Sequence, residues 1–414
     1  MDGKLLTTGS AGDNMPGDDL AEFALSARKF VNSYQSAVDG LSGTQRARAV
    51  MAMLYDAGFS GITWPSEYGG QGLTAAEERL FTQARKGHAL PPPLFTIGLG
   101  MCGPTLLSIG THEQKRRYIG PLLRGEEIWC QLFSEPGAGS DLAGVQTSAA
   151  PEAGGWIVRG QKVWTSDAQH ADFGILLART DPSRPKNRGL TMFIVPMHAP
   201  GLEVRPLRDM TGVAHFNEVF LDDVRIPGNQ VLGEVNDGWR GARVMLSHER
   251  GAIGGGNSAG DRNPTSFASL RRLAFDGESQ ARPVVRSRLV ELYIRERAAQ
   301  LFGLRLAQER RSGRPPDDRA AIAKLLAANL ALLRADVAAE IIGDVVVHEP
   351  GDREAEKRVA AFLWAPAMSL GGGTNEIMRN IIGERVLGLP REPQADTGRP
   401  FRELMVGTQE RDPE

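Results

Sequence analysis

The sequence has few cysteines and no excess of charge of either sign. Cys102 and Cys130 are its only cysteines, and both stand among apolar neighbours. We therefore expect reduced, buried thiols rather than a disulfide framework. The 48 lysines and arginines nearly balance the 50 aspartates and glutamates. This balance argues against nucleic acid or an anionic membrane as the main partner.

Long apolar runs are also missing. The most apolar helical stretch, residues 320–343, contains polar or charged residues at four positions, which makes it unsuited to a bilayer. The N-terminus lacks the apolar core of a signal peptide. No Cys/His cluster has metal-ligand spacing. We expect a cytoplasmic protein without a metal site and without a membrane partner.

The pattern of apolar residues changes twice along the chain. Helical periodicity begins at Asp18 or Asp19, after a polar start that we expect to be frayed, and continues to about Trp129. It returns at Trp239 and lasts to about Leu387, and the polar stretch Asn257–Pro283 indicates a loop or irregular insert. Between them, short apolar runs separated by turn residues predict an antiparallel barrel or sandwich. These runs are Trp156–Val158, Phe173–Ala178, Thr191–Val195, Leu202–Val204 and Phe216–Ile226.

A chain of 414 residues is long enough for two or three domains. The changes of pattern predict four parts. They are an N-terminal helical domain at 1–128, a central β domain at 129–236, a C-terminal helical domain at 237–392 and a tail at 393–414. The fold class expected from this order is α+β.

A glycine-rich loop, Ser134–Asp141, follows an apolar run that is typical of a strand. Glycines allow close approach of the backbone to a ligand, and free N–H groups in such a loop bind anionic or carbonyl oxygens. The spacing is not that of a dinucleotide-binding fingerprint. By itself the loop indicates only a tight turn.

Four segments, in this order, resemble the acyl-CoA dehydrogenase family. They are Ser134–Asp141, Gly160–Ser166, Phe216–Pro227 and Gly372–Ile377. The resemblance implies N-terminal helices, a central antiparallel β domain and a C-terminal four-helix bundle around one FAD site. It also implies α,β-dehydrogenation of an acyl-CoA thioester, with electrons passed to an electron-transferring flavoprotein. The protein supplies placement and electrostatics for the cofactor.

The resemblance assigns two sets of binding residues. Positions expected to contact FAD are Gln131, Phe133, Ser134, Trp164, Ser166, Arg272, Thr374 and Glu376. Positions expected to contact the thioester or its coenzyme A arm are Ser140, Arg243, Arg250 and Gly372. For Ser140, a turn serine that bonds its own backbone is an equal alternative.

The catalytic base is not where many members of the family carry it. Those members have a glutamate immediately before the Gly-Thr of the fourth segment, where this chain has Gly372. The isovaleryl- and long-chain-type members, which this chain resembles here, carry a glutamate just before an arginine on an earlier helix, as in Glu249-Arg250. Helical spacing gives Glu249 apolar neighbours, and a carboxylate on an apolar stripe has a raised pKa. We therefore predict that Glu249 is the base.

Two departures from the family pattern leave the quaternary arrangement open. Arg272-Leu273-Ala274-Phe275 only partly matches a segment that reaches the FAD of the neighbouring subunit. Glu340 and Asp344 stand where a glutamine and paired glycines are expected, and carboxylates repel a pyrophosphate. Both a homo-oligomer and a hetero-oligomer agree with this pattern, and bacterial heterotetramer-forming members are similar in this respect.

Two alternatives to a complete dehydrogenase remain. The first is a non-catalytic or half-site subunit of a heterotetramer. The second is a flavin monooxygenase or oxidase of the same fold. Gly372, Glu340 and Asp344 support the first alternative. The Glu249-Arg250 pair speaks against the second.

Overall fold

The computed structural model describes residues 17–254, 263–276, 283–311, 318–343, 353–393 and 396–404. The N-terminal residues that we expected to be frayed lie outside these ranges. The predicted α+β order of helices, sheet and helices is confirmed.

Among the described residues, the N-terminal part contains five α-helices. They are α1 (Gly17–Ala37), α2 (Gly43–Asp56), α3 (Ala75–Ala84), α4 (Gly103–Ile109) and α5 (His112–Arg124). Capping boxes begin α3 and α5, where the hydroxyls of Thr74 and Thr111 accept hydrogen bonds from backbone N–H groups of the first turn. Such caps satisfy donors that have no partner inside the helix. Short polar sequences therefore fix where these helices begin.

The central part is an eight-stranded sheet, and all five predicted strand runs are confirmed within it. The path order is β6-β7-β3-β2-β4-β5-β8, and β1 pairs with β4 off this path. The sheet is mainly antiparallel, as predicted, but β1 runs parallel to β4. Its strands are β1 (Trp129–Leu132), β2 (Ser148–Glu152), β3 (Gly155–Ser166), β4 (Phe173–Arg179), β5 (Leu190–Pro196), β6 (Leu202–Leu207), β7 (Phe216–Pro227) and β8 (Val231–Leu232).

The C-terminal part contains α6 (Gly238–Gly254), α7 (Phe267–Asp276), α8 (Pro283–Arg311), α9 (Ala320–Ile342), α10 (Arg353–Trp364) and α11 (Asn375–Ile381). The helix α7 corrects the prediction that Asn257–Pro283 is a loop or irregular insert. Leu270 and Ala274, one turn apart, are buried against the core that α8 and α9 share. This amphipathic spacing sits inside a polar stretch, so composition concealed the helix.

One apolar cluster joins all three parts of the chain. Cys102 and Leu106 from the N-terminal part, Trp129 from β1, and Ala242 and Met245 from α6 belong to it. Because protein interiors are close-packed, this cluster fixes α6 against α4 and the sheet. Both cysteines are buried and free, as predicted.

Two absences hold for the described ranges. No helix there is long and apolar enough to cross a membrane. No group of three His, Cys, Asp or Glu side chains in those ranges is arranged to hold a metal ion.

Candidate active site

Glu249 lies near the C-terminal end of α6, the helix whose Ala242 and Met245 enter the shared core. Its side chain is partly buried, and the Gln131 Nε2 of β1 donates to Glu249 Oε2 over 3.5 Å. The backbone N–H of Gly372 also acts on this carboxylate and lowers its pKa. The structure thus brings together three predicted site residues from segments more than a hundred residues apart.

The surroundings of Glu249 favour its protonated form. Burial raises the pKa of this carboxyl, while the Gln131 hydrogen bond, the Arg250 and Lys324 charges and the Gly372 N–H oppose the rise. Burial is the larger effect, and the pKa stays above its ordinary value. A glutamate tuned in this direction is a stronger base than an exposed one, which suits proton abstraction near neutral pH.

Gly372 takes the place of a side chain and contributes its backbone instead. Its φ is +68°, a left-handed conformation that favours glycine, and Gly373 follows at +90°. These two residues precede α11, which begins with Thr374 as its cap. The turn therefore presents an N–H group to Glu249 at the position where many family members have the glutamate itself.

Three arginines act on one another electrostatically beside Glu249. Burial lowers the pKa of Arg250, the Asp318 and Glu249 carboxylates oppose this effect, and the Arg385 and Arg243 charges add to it. Arg243 is exposed on α6, and Arg385 pairs with Asp318 at 3.1 Å. A cluster of guanidinium groups with an excess of positive charge suits phosphate groups. The predicted pair Arg243 and Arg250 is therefore extended by Arg385.

Trp164 is exposed because of a local distortion of β3. The register between β3 and β7 shifts between Lys162 and Thr165, and Trp164 has a φ of +61°. Bulges and such backbone conformations cluster at functional sites, where they re-aim a side chain. The indole is 58% exposed and meets the Phe216 ring edge to face at 5.7 Å. Trp364, at the end of α10, also stacks on Phe216 at 5.7 Å.

The glycine-rich loop is anchored at its start by a buried ion pair. Lys162 Nζ donates to the carbonyl of Phe133 at 2.9 Å, to Glu135 Oε1 at 2.8 Å and to the carbonyl of Leu177 at 2.8 Å. The loop is thus held firmly where it leaves β1. Among the predicted site residues of this region, Phe133 is buried, Ser134 and Ser166 are half-buried, and Ser140 is exposed.

The remaining predicted residues are less closely grouped. Arg272 is exposed on α7. The Thr374 hydroxyl accepts from the Ile377 N–H at 3.2 Å as the cap of α11, and Glu376 is exposed and pairs with Arg379 at 3.0 Å.

The two acidic positions that depart from the family pattern differ in what the structure shows. Glu340 pairs with Arg288 at 3.1 Å, so its negative charge is partly balanced. Asp344 lies outside the described residues.

Lys324 was not predicted to belong to the site. It is fully buried on α9, and its ammonium interacts electrostatically with Glu249 and Glu376. The sequence did carry a signal, because Lys324 is the single charged residue in the run Ala320–Ala328, which otherwise consists of Ala, Ile and Leu. A lysine is almost never fully buried unless it is paired, so its position in such a run marks it for attention.

Models of one family match the chain along most of its length. The acyl-CoA dehydrogenase N-terminal domain matches residues 18–126, the middle domain matches residues 130–224 and the C-terminal domain matches residues 236–387. All the residues grouped around Glu249 fall inside these matches.

Two of the curated relatives from Mycobacterium tuberculosis illustrate the likeness. Acyl-CoA dehydrogenase FadE34 is 39% identical over 375 residues, which are 91% of this chain and 50% of the relative. This chain therefore spans about half the length of that protein. Acyl-CoA dehydrogenase IpdE1 is 37% identical over 366 residues, which are 86% of this chain and 93% of the relative.

Two of the solved structures that share the fold are named as pairs of proteins. The Tcur3481-Tcur3483 steroid ACAD is 28% identical with a TM-score of 0.76, covering 91% of this chain and 99% of that one. The ChsE4-ChsE5 complex from Mycobacterium tuberculosis is 29% identical with a TM-score of 0.73, covering 92% and 100%. The chain therefore belongs to the acyl-CoA dehydrogenase family, whose members are FAD-dependent oxidoreductases.

Proposed function

We propose that this chain catalyses the α,β-dehydrogenation of an acyl-CoA thioester with Glu249 as the base. The observation that carries the proposal is the placement of a partly buried glutamate with a raised pKa between the Gln131 amide and the Gly372 N–H. Carboxylates tuned by burial and held by defined donors are typical of general bases.

The residues around Trp164 fit FAD. The exposed indole can cover a flat ring, and the hydroxyls of Ser134 and Ser166 can bond its polar edge. Beside Trp164, the paired residues Thr165 of β3 and Asn217 of β7 each have a buried side-chain oxygen without a hydrogen-bond partner among the described residues. When bound, FAD accepts the β-hydrogen as hydride.

Gln131 and Phe133 are the other two expected FAD contacts of this region. Gln131 belongs to β1 and Phe133 follows its end, and the carbonyl of Phe133 is fixed by Lys162 Nζ. A strand end held in this way offers a rigid wall for a flat cofactor, which agrees with the role that we propose for both residues.

The protein's own residues perform the proton transfer and the binding. Glu249 removes the proton from the α-carbon, and the neutral Gln131 amide keeps its carboxylate aimed by a hydrogen bond while the Gly372 N–H also acts on it. Arg250 and Arg243 bind the phosphates of coenzyme A. Binding energy from this remote part of the substrate orients the reacting carbons.

Ser140 is proposed to contact the coenzyme A arm. It is exposed near the end of the glycine-rich loop, and the start of that loop is fixed by the Lys162–Glu135 pair. An exposed hydroxyl on an anchored loop is available to a ligand as donor and as acceptor.

Thr374, Glu376 and Arg272 complete the expected FAD contacts. Glu376 pairs with Arg379, and a carboxylate in an ion pair accepts hydrogen bonds rather than donating them. It therefore suits a ribose hydroxyl or an amino group better than a phosphate. The Thr374 hydroxyl is engaged in the cap of α11, and its backbone is the part available to a ligand.

A bulky acyl group is the substrate class that we propose. Gly372 replaces a glutamate side chain and so leaves room beside the base. A steroid ACAD is among the structures that share the fold, at 28% identity. A thioester with a branched or ring-bearing acyl group therefore fits the site better than a short linear one. We propose an electron-transferring flavoprotein as the electron acceptor.

The quaternary arrangement that we propose is a hetero-oligomer. Two solved relatives are named as pairs of proteins, Tcur3481-Tcur3483 and ChsE4-ChsE5. In this chain Glu340 stands where the family pattern has a neutral residue, although Arg288 partly balances its charge. A partner subunit that completes the cofactor site agrees with both observations.

The test of the proposed reaction is substitution of Glu249. E249Q should retain FAD and the wild-type absorbance spectrum but lose at least about a hundredfold in turnover, because general-base catalysis contributes about 10²–10⁴-fold. E356Q, which alters an exposed glutamate on α10, is the matched control and should keep full activity. Wild-type turnover in E249Q would disprove the proposed base.

The substrate class has its own test. A panel of linear, branched and steroid acyl-CoA thioesters is assayed with a dye acceptor, and the ring-bearing or branched members should give the highest kcat/KM. A clear preference for short linear thioesters would contradict the proposed class while leaving the proposed base intact.

A further inference from the structure

Lys324 is a buried charge without a hydrogen-bonded partner. Its side chain is 0% exposed on α9, and its Nζ has no hydrogen-bond acceptor among the described residues. An isolated ammonium removed from water is costly, and each such group in a folded protein calls for an explanation. Packing does not require a charge here, since the neighbouring positions of the helix are apolar.

Lys324 lies on a helix that packs against the helix of the proposed base. The helix α9 packs against both α6, which carries Glu249, and α11, which carries Glu376. Burial lowers the pKa of Lys324, whereas Glu249 and Glu376 oppose this effect. Glu376 is exposed and already pairs with Arg379. Glu249 is thus the interior carboxylate that the Lys324 charge can balance.

Glu249 in turn accepts a hydrogen bond from a neutral donor, the Gln131 amide, and the neutral Gly372 N–H also acts on it. The charges that act on it come from Arg250 on its own helix and from Lys324 on α9. Neutral donors can orient a carboxylate, but they balance its charge less than a cation does.

The positive charge of Arg250 does not act on Glu249 alone. It also interacts with Asp318, and it stands beside Arg243 and Arg385 in the arginine cluster. Bound coenzyme A phosphates would engage these arginines further. Lys324 would then remain as the cation on the interior side of the base.

His248 precedes the base on α6 and is the remaining titratable neighbour on that helix. Burial lowers its pKa, which disfavours the charged imidazolium. His248 is therefore a weaker source of positive charge beside the base than an exposed histidine would be.

We infer that Lys324 is a positioning residue that keeps the Glu249 carboxylate ionised and ready to accept the substrate proton. The inference rests on the proposed role of Glu249. A cation close to a buried carboxylate favours its charged form and limits the effect of burial. Once Glu249 is protonated, this electrostatic balance is lost, which favours release of the proton after each turnover.

The test is the pH profile of kcat for K324M, which removes the charge but keeps an apolar side chain of similar length. The acid limb should move to higher pH, and each unit of displacement lowers kcat about tenfold below the limb. KM should change little, because the buried ammonium is not among the groups proposed to bind coenzyme A. K324R should return the limb toward its wild-type position. K357M, which alters an exposed lysine on α10, is the control and should leave the profile unchanged.

Thermal unfolding of the full-length holoenzyme gives a second readout. Because burial holds the folded pKa of Lys324 below its ordinary value even with the Glu249 charge acting on it, removal of this cation should raise the unfolding midpoint of K324M at neutral pH. The difference in unfolding midpoint between K324M and wild type should become smaller as the pH rises toward the ordinary lysine pKa. Above that pH the wild-type lysine is neutral in both the folded and the unfolded state. If K324M does not fold, K324Q is measured in its place, because the amide is also uncharged.

The outcomes separate this inference from the proposed function. A wild-type rate in E249Q overturns the proposed base and the inference with it. An inactive E249Q together with a K324M acid limb that coincides with that of the wild type overturns only the role of Lys324. A purely structural lysine would give the second pattern, with a lower unfolding midpoint in K324M and no movement of the limb.

Discussion

Lys162 and Glu135 form an ion pair at 2.8 Å in the interior, where the lysine is 0% and the glutamate 7% exposed. Two backbone N–H groups, of Gln146 at 2.6 Å and Thr147 at 2.9 Å, also donate to the same carboxylate. Burial raises the pKa of Glu135, but the Lys162 charge and these donors outweigh burial and hold the pKa below its ordinary value. The pair ties the start of the glycine-rich loop to β3.

Breaking this pair should destabilise the protein and loosen the loop. E135Q or K162M leaves one buried charge without its partner, which costs about 3–5 kcal/mol. The double variant E135L/K162M removes both charges and should recover much of that loss. Chemical unfolding of the three variants is the measurement. A double variant that is as unstable as the sum of the singles would contradict this explanation.

The contribution of Glu135 should also depend on pH in a defined direction. Because its folded pKa lies below the ordinary value, its stabilisation is present above the unfolded pKa of about 4.3 and is lost as pH falls through the folded pKa. The difference in unfolding free energy between wild type and E135Q should therefore shrink below about pH 4. Unfolding curves measured from acid to neutral pH check the prediction, and a constant difference would refute it.

The contribution of Glu249 to stability should depend on pH in the opposite direction. Its folded pKa is raised by burial, so its contribution to stability is present below the unfolded pKa and is lost as pH rises through the folded value. E249Q should thus gain stability over the wild type as pH rises from acid to neutral. In the wild type, kcat should fall on the acid side with a midpoint above the ordinary glutamate value of about 4.3. Thermal unfolding and rate measurements over this pH range test both statements.

Replacement of Trp164 should weaken FAD binding but change the stability of the fold little. Because its indole is 58% exposed, W164A removes little buried area, and the unfolding midpoint measured without FAD should hardly change. Reconstitution with FAD should weaken at least about tenfold, which corresponds to the loss of one aromatic contact on the ring. M210A removes another exposed side chain of the central part, 66% exposed, and is the control. Equal FAD affinity in W164A and wild type would exclude Trp164 from the cofactor site.

Gly372 should tolerate no side chain without a loss of activity. At a φ of +68°, alanine costs about 1–2 kcal/mol in backbone strain, and any relaxation moves the N–H that acts on Glu249. Gly388 has a similar φ of +73°, and no atom of another segment lies within 4 Å of the position that its Cβ would occupy. G388A therefore incurs the same strain away from the base. G372A should lose kcat, most of all with bulky acyl groups, whereas G388A should lose only stability. Equal kinetics in the two variants would rule out a special role for Gly372.

The sequence by itself determined the order of helices, sheet and helices, the strand runs and the placement of Glu249 on a helix with an apolar stripe. Local periodicity and turn residues carry that information, because each element must present one face to a core. The polar composition of Asn257–Pro283 led to the wrong prediction of a loop there, because Leu270 and Ala274 make α7 amphipathic inside this polar stretch.

Only the tertiary structure decided which groups surround the base. Three groups from distant segments act on Glu249, namely the Gly372 N–H, the Gln131 amide and the Lys324 ammonium. No local sequence pattern predicts that these groups come together. The parallel pairing of β1 with β4 and the exposure of Trp164 at a bulge likewise depend on long-range strand register. Electrostatic effects and packing act through space, so the chemistry of this site appears only once the chain is folded.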